Sequence, residues 1–197
     1  MKKIAEIISL IFNPGFLILI SLLLGIEKSN FSKNNEIIIL SSAILLNGFL
    51  PAALMLYYSK KGIVIDDVLL NKEVLQNRSH ILGWGAVLLS LEAICVSFLK
   101  KPEPIFAICV TLVAILGALF IITLYRKISL HAAGITFFSF IIIVLFGRSF
   151  WPVLFLIPIV VWSRLYLLRH TKTQLVAGFF VTLIITSLIL YYFKLLP

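Results

Sequence analysis

PIFAICVTLVAILGALFIITLY, residues 104–125, runs for twenty-two positions without a charged side chain. At 1.5 Å per residue such a helix is about 33 Å long, enough to cross a hydrocarbon core ~30 Å thick. Residues 7–26, 37–57 and 173–193 repeat the pattern, and 81–99 repeats it apart from Glu92. Residues 132–147 and 149–163 are shorter and become spans once their polar ends are drawn in. Composition agrees: 61% of the 197 residues are hydrophobic, 13% are charged, and the mean hydropathy is +1.14. These values exclude a soluble domain. The reading is an all-α, polytopic membrane helix bundle of six to seven transmembrane helices, residues 1–197 forming one integral membrane domain.

The opening MKK and its apolar run resemble a signal peptide, but no small-residue cleavage pattern follows, so an uncleaved first span is expected. Asn13-Pro14-Gly15 should kink that span, because proline removes a backbone donor and crowds the preceding turn. Cys95 and Cys109 both fall inside spans and read as packing residues. Internal repeats, nucleotide-binding glycine patterns and metal-ligand spacings are absent from the sequence, and a nucleic-acid partner is not expected.

Seven spans alternate the loops between two sides. Eleven of the seventeen basic residues, with His80, His131 and His170, fall on the side of the amino terminus. That excess ordinarily marks the cytoplasmic face. Setting aside Lys72, Arg78, Lys127, Arg164 and Arg169 as possible phosphate ligands leaves six against six, so charge does not fix the orientation. The parity stands: three polar clusters, separated by pairs of spans, share one face.

Each cluster has a bland and a chemical reading. In SRLYLLRHTKTQ, residues 163–174, Arg164 offers a forked, permanently charged donor set for phosphate oxygens, and His170 can serve as nucleophile, acid or base. Gln174 follows His170 by four positions and on a helix would face its ring. The alternative is a basic helix end reaching lipid headgroups. In RKISLHAAG, residues 126–134, Lys127 and Ser129 precede a helix whose first N–H groups favour an anion, and His131 can give a proton to a leaving oxygen. The alternative is a plain interfacial turn. DDVLLNKEVLQNRSH, residues 66–80, supplies Lys72 and Arg78 among Asp66, Asp67 and Glu73, and otherwise reads as a solvated surface helix. Together the clusters fit an oxyanion site better than any one of them does.

Ser163, Arg164 and His170 in the order S-R-x-x-x-x-x-H resemble the third signature of the type-2 phosphatidic acid phosphatase superfamily. Ser129 and His131 in K-I-S-L-H are similar to its second signature, usually P-S-G-H. Lys72, six positions before Arg78, approximates the first, with Ser79 where a proline is usual. The resemblance, to a small divergent bacterial branch, covers about residue 60 to the carboxyl terminus. It implies a haloperoxidase-like helical core, a multi-pass place in the bacterial inner membrane, and a metal-independent lipid phosphatase without cofactor. His170 would carry the phosphoryl group as phosphohistidine and His131 would protonate the departing alcohol. Lys72, Arg78, Lys127, Ser129 and Arg164 would hold the phosphoryl oxygens, and the substrate would be a lipid or isoprenoid phosphate in the bilayer. Gln174 stands where the family carries aspartate. A neutral amide orients an imidazole but stabilises an imidazolium poorly.

Two other functions fit the same sequence. A catalytically weak or inactive relative could bind anionic lipid headgroups through its basic face. A small transporter could use Glu92, since an ionisable group within a span is a functional candidate.

Overall fold

A computed structural model of the protein describes residues 1–61, 72–99 and 104–196, with the side chains of the 72–97 helix from Gln76 onward. The described residues contain no strand. In chain order the α-helices are α1 (Lys2–Ile11), α2 (Pro14–Lys28), α3 (Lys33–Ala43), α4 (Leu50–Lys60), α5 (Lys72–Ser97), α6 (Ile105–Thr123), α7 (Leu130–Phe146), α8 (Leu156–Tyr166) and α9 (Lys172–Tyr192). A π-helical turn, Ile44–Phe49, joins α3 to α4, and a 3₁₀ segment, Arg148–Phe155, leads into α8. Counting through these junctions, six helices among the described residues are long and apolar enough to cross a bilayer. This marks a multi-pass membrane protein. The 17-residue α7 is shorter.

The surface supports the same reading. Ile37, Ile38, Phe49, Leu56, Trp84, Ile94, Ile184 and Leu188 are all exposed. So much outward apolar surface is untenable in water and natural against lipid tails. Inside, Leu22, Ile26, Leu89, Ile108, Leu112, Leu119, Phe137 and Ile141 form one core around α6. Three buried hydroxyls bond their own helix: Ser21, Thr111 and Thr136 each donate to the carbonyl four residues back at 2.7 Å. The bilayer offers no water, so such back-bonds satisfy the hydroxyls locally. Cys95 is exposed, Cys109 is buried, and both are free.

The expected kink in the first span is a full break. Asn13 caps α2 by accepting the Gly15 N–H at 2.9 Å, and Pro14 takes the first helical position, where a missing donor costs nothing. The chain thus ends α1 before it starts α2. Pro14 packs closely on α7: a methyl group at Gly134 would stand 3.3 Å from its Cα. That contact puts the end of α1 beside the start of α7.

Candidate functional site

The site begins at the turn from α8 to α9. Arg164 lies in the last turn of α8, and its carbonyl accepts the Arg169 N–H at 3.1 Å, while Leu165 accepts from Leu168 at 3.0 Å. Leu168 between them has φ +53°. This is the left-handed closure that ends many helices, usually with glycine, and it costs a non-glycine residue about 1–2 kcal/mol. It folds the chain back so that His170 follows Arg164 through one tight turn. Thr171 then caps α9.

His170 therefore lies just outside α9, not within it, and the helical i,i+4 argument does not apply. Its contact with Gln174 arises from the cap instead. Gln174 is the third residue of α9, and its Oε1 accepts the Thr171 N–H at 3.2 Å while Thr171 Oγ1 accepts the Gln174 N–H at 3.4 Å. This is a capping box. The same Oε1 lies 3.1 Å from His170 Nδ1. A backbone N–H can only donate, so the atom it meets is the amide oxygen; that oxygen can only accept, so Nδ1 carries the hydrogen. The lone pair of His170 is then on Nε2.

The α6–α7 turn lies alongside. Ser129 caps α7, its hydroxyl oxygen accepting the Ala132 N–H at 3.3 Å, and its own N–H donates to the Gln174 carbonyl at 3.3 Å. Arg78 of α5 donates from Nη2 to the Ile128 carbonyl at 2.8 Å. Three segments distant in sequence thus meet at residues 128–129. Gly178 makes the approach possible: a methyl group there would come within 2.6 Å of the Ser129 carbonyl oxygen. We expect Gly178→Ala to push α7 from α9, costing about 1–3 kcal/mol. A lower melting temperature in detergent would report it; unchanged melting would mean that the contact is loose.

The third component comes from α1. Arg164 donates from Nη1 to Ser9 Oγ at 2.6 Å. His131 Nε2 lies 3.2 Å from the Ser9 carbonyl oxygen and 3.4 Å from Ser9 Oγ. That carbonyl belongs to the last turn of α1, where the next helical N–H, that of Asn13, goes to Leu10 instead. A carbonyl cannot donate, so His131 Nε2 carries the hydrogen. The two histidines thus differ at Nε2: in a neutral His170 it carries the lone pair, and in His131 it carries the hydrogen. Arg164 and His131 can be no further apart than their two bonds to Ser9 Oγ laid end to end.

Burial sharpens the electrostatics. Arg78, Lys127, Arg164 and His170 are 3%, 5%, 4% and 7% exposed, so these are not headgroup-seeking surface charges. Two guanidinium groups and an ammonium gathered at buried positions suit an oxyanion, whose charge they would hold with little competition from water. Ser129 is fully buried, with its oxygen engaged at the cap and its O–H the donor it can offer.

The structure thus links Arg78, Ser129, His131, Arg164, His170 and Gln174 through α5, α7, α8 and α9, and places Lys127 in the same turn as Ser129. Arg78, expected on a solvated helix in one reading, points inward. The side chains of Lys72 and Glu73, and Asp66 and Asp67 entirely, lie outside the described residues. Glu92 is fully buried with Ser42 Oγ at 3.0 Å, joining α3 to α5. It lies fourteen residues beyond Arg78, roughly 21 Å along the helix. Ser9, Thr171 and Gly178 were not singled out in the sequence. Thr171 had a readable signal, a threonine three residues before a glutamine ahead of an apolar run. The contacts of Ser9 and Gly178 have no local signal.

The chemistry available is proton donation, nucleophilic attack and oxyanion binding within one buried cluster of a multi-pass membrane protein. No family model, no curated protein and no solved structure matches the chain.

Proposed function

We propose that the protein is an integral membrane phosphatase of the cell membrane, the bacterial inner membrane by resemblance, that hydrolyses a lipid-linked phosphate monoester or diphosphate. The observation that carries this reading is that buried Arg164 and His131 meet at Ser9, while His170, one tight turn after Arg164, has its Nδ1 held by Gln174. His170 Nε2 forms a bond to phosphorus as the bond from phosphorus to the leaving oxygen breaks. His131, entering as the imidazolium, passes its Nε2 proton to that oxygen and is left neutral. Water then attacks the phosphohistidine, returning a proton to His131 and releasing phosphate. Arg164, Lys127, Arg78 and the Ser129 hydroxyl neutralise the equatorial oxygens, and Lys72 joins them if its side chain reaches the cluster. The test is inorganic phosphate release in detergent from a panel of lipid and isoprenoid phosphates. Absence of release from all of them, with the protein folded, ends the enzyme reading.

Gln174 favours a second reading. Its amide closes the α9 capping box as well as orienting His170, and it brings no charge to offset an imidazolium. A binding-only relative that holds anionic lipid headgroups would need nothing more. The two readings separate at this residue. In an enzyme, Gln174→Glu keeps the capping geometry, adds a carboxylate beside Nδ1 and is expected to raise phosphate release about tenfold, the equivalent of one pKa unit of imidazolium stabilisation. Gln174→Asp adds the same charge on a side chain one methylene shorter, which gives up the Thr171 contact. No release in either form favours the binder.

A further inference from the structure

The amino-terminal helix occupies the site that the other helices build. Ser9 Oγ receives a 2.6 Å bond from Arg164 and lies 3.4 Å from His131 Nε2. Under the reading above, Arg164 neutralises the equatorial oxygens of the phosphoryl group and His131 protonates the leaving oxygen bound to it, so the two donors converge on one phosphate ester. Ser9 now sits at their meeting point, its neutral hydroxyl on Arg164 and its carbonyl 3.2 Å from His131 Nε2. We propose that Ser9 stands in for the phosphate ester of the substrate, and that α1 is a gate which the substrate must displace. The proposal rests on the phosphatase reading.

Three features of α1 fit this role. First, it is terminated separately from α2: Asn13 and Pro14 start the next helix, and two backbone hydrogen bonds, Phe12 to Ile8 at 3.0 Å and Asn13 to Leu10 at 3.2 Å, join the junction back to α1. α1 can therefore swing at Phe12–Asn13 without unwinding α2. Second, its inner face is small and mixed. Ala5 is fully buried, Ser9 faces the donors, and Ile8 and Phe12 pack on a small cluster of Leu17, Ile135 and Val160. Third, its outer face is apolar, with Ile4, Ile7, Leu10 and Ile11 more than half exposed. A helix that presents apolar side chains to lipid can be pushed sideways by a molecule arriving from the bilayer. The substrate class that matches is an amphiphile, with an oxyanion for Arg164 and His131 and an apolar tail that takes the place of the α1 contacts.

Energetics allow the exchange. The Arg164–Ser9 bond has a charged donor and a neutral acceptor, whereas a phosphoryl oxygen adds the opposite charge, and Coulomb attraction favours it over a hydroxyl at the same distance. Ser9 accepts from Arg164 Nη1 and lies against His131 Nε2 when no substrate is present, and yields to an anion that binds these donors better.

The test is tungstate binding, by calorimetry, to the full chain in detergent and to its Ser9→Ala and Ser9→Asp forms. Removing the competing hydroxyl should tighten binding about tenfold, the scale of one hydrogen bond to a charged group. The aspartate form, which places a carboxylate on the same donors, should lose binding. A second readout follows the helix: in a chain carrying Ser9→Cys with Cys95→Ser and Cys109→Ala, tungstate should speed maleimide labelling. Wild-type binding that is unchanged or weakened by Ser9→Ala would show that Ser9 is a bystander or a ligand; the gate is then wrong while the phosphate site stands. Labelling unaffected by bound tungstate also overturns the gate. If no form binds tungstate, the oxyanion reading falls and takes the gate with it.

Discussion

Replacing His170 with alanine is expected to lower phosphate release by at least about 10⁴-fold, because it removes the nitrogen that forms the bond to phosphorus in the proposed reaction. His170 is buried but lies outside α9, and the capping box that holds Gln174 also uses Thr171. The substitution therefore removes the reacting atom while leaving the helix start capped, and the variant should elute as folded protein in detergent. Labelling with a radioactive lipid phosphate, quenched in alkaline detergent, should trap an acid-labile, base-stable phosphoryl group on the wild type and none on the variant. Turnover near the wild-type value in His170→Ala would remove the phosphohistidine step altogether.

His131→Ala should act differently on different substrates. General acid help is worth about 10²–10⁴ in rate, and it matters most where the leaving oxygen is a poor one. An alkyl phosphate should therefore slow by that range, whereas an aryl phosphate, whose phenolate leaves unaided, should slow far less. The assignment follows from the tautomer: Nε2 faces the Ser9 carbonyl and so carries the hydrogen. An equal loss on both substrates would make His131 a binding group. Because His131 also bonds the end of α1, melting of the variant should be measured beside its kinetics, so that a loosened α1 is not read as lost chemistry.

Other effects were visible at short range. The break at Asn13–Pro14 is local chemistry: asparagine accepts an N–H two residues on, and proline suits the first helical position. The cap of α9 is equally local, since Thr171 and Gln174 satisfy each other within one turn. The pairing of His170 with Gln174 is legible as a spacing, but a shared helix is not its cause. A helix was expected to carry both residues, whereas the left-handed Leu168 delays the helix start and the glutamine reaches back. A leucine gives no warning of that conformation, which glycine would have announced.

What the sequence by itself determined is the membrane bundle and the residue types of the site. Lipid cannot hydrogen-bond a backbone, so a run of some twenty apolar residues has little choice but to form a helix across it. Charged and polar residues are then confined to the ends, and counting spans puts alternate ends together. Which atoms meet was decided by tertiary structure alone. Ser9 reaches Arg164 across 155 residues of sequence and His131 across 122. Gly178 matters because the Ser129 carbonyl happens to pass it within the space of a methyl group. Arg78 turns inward because a carbonyl at Ile128 awaits it. Such contacts depend on how helices pack, and packing is set by the shapes of both partners at once. No periodicity along one strand of sequence records it.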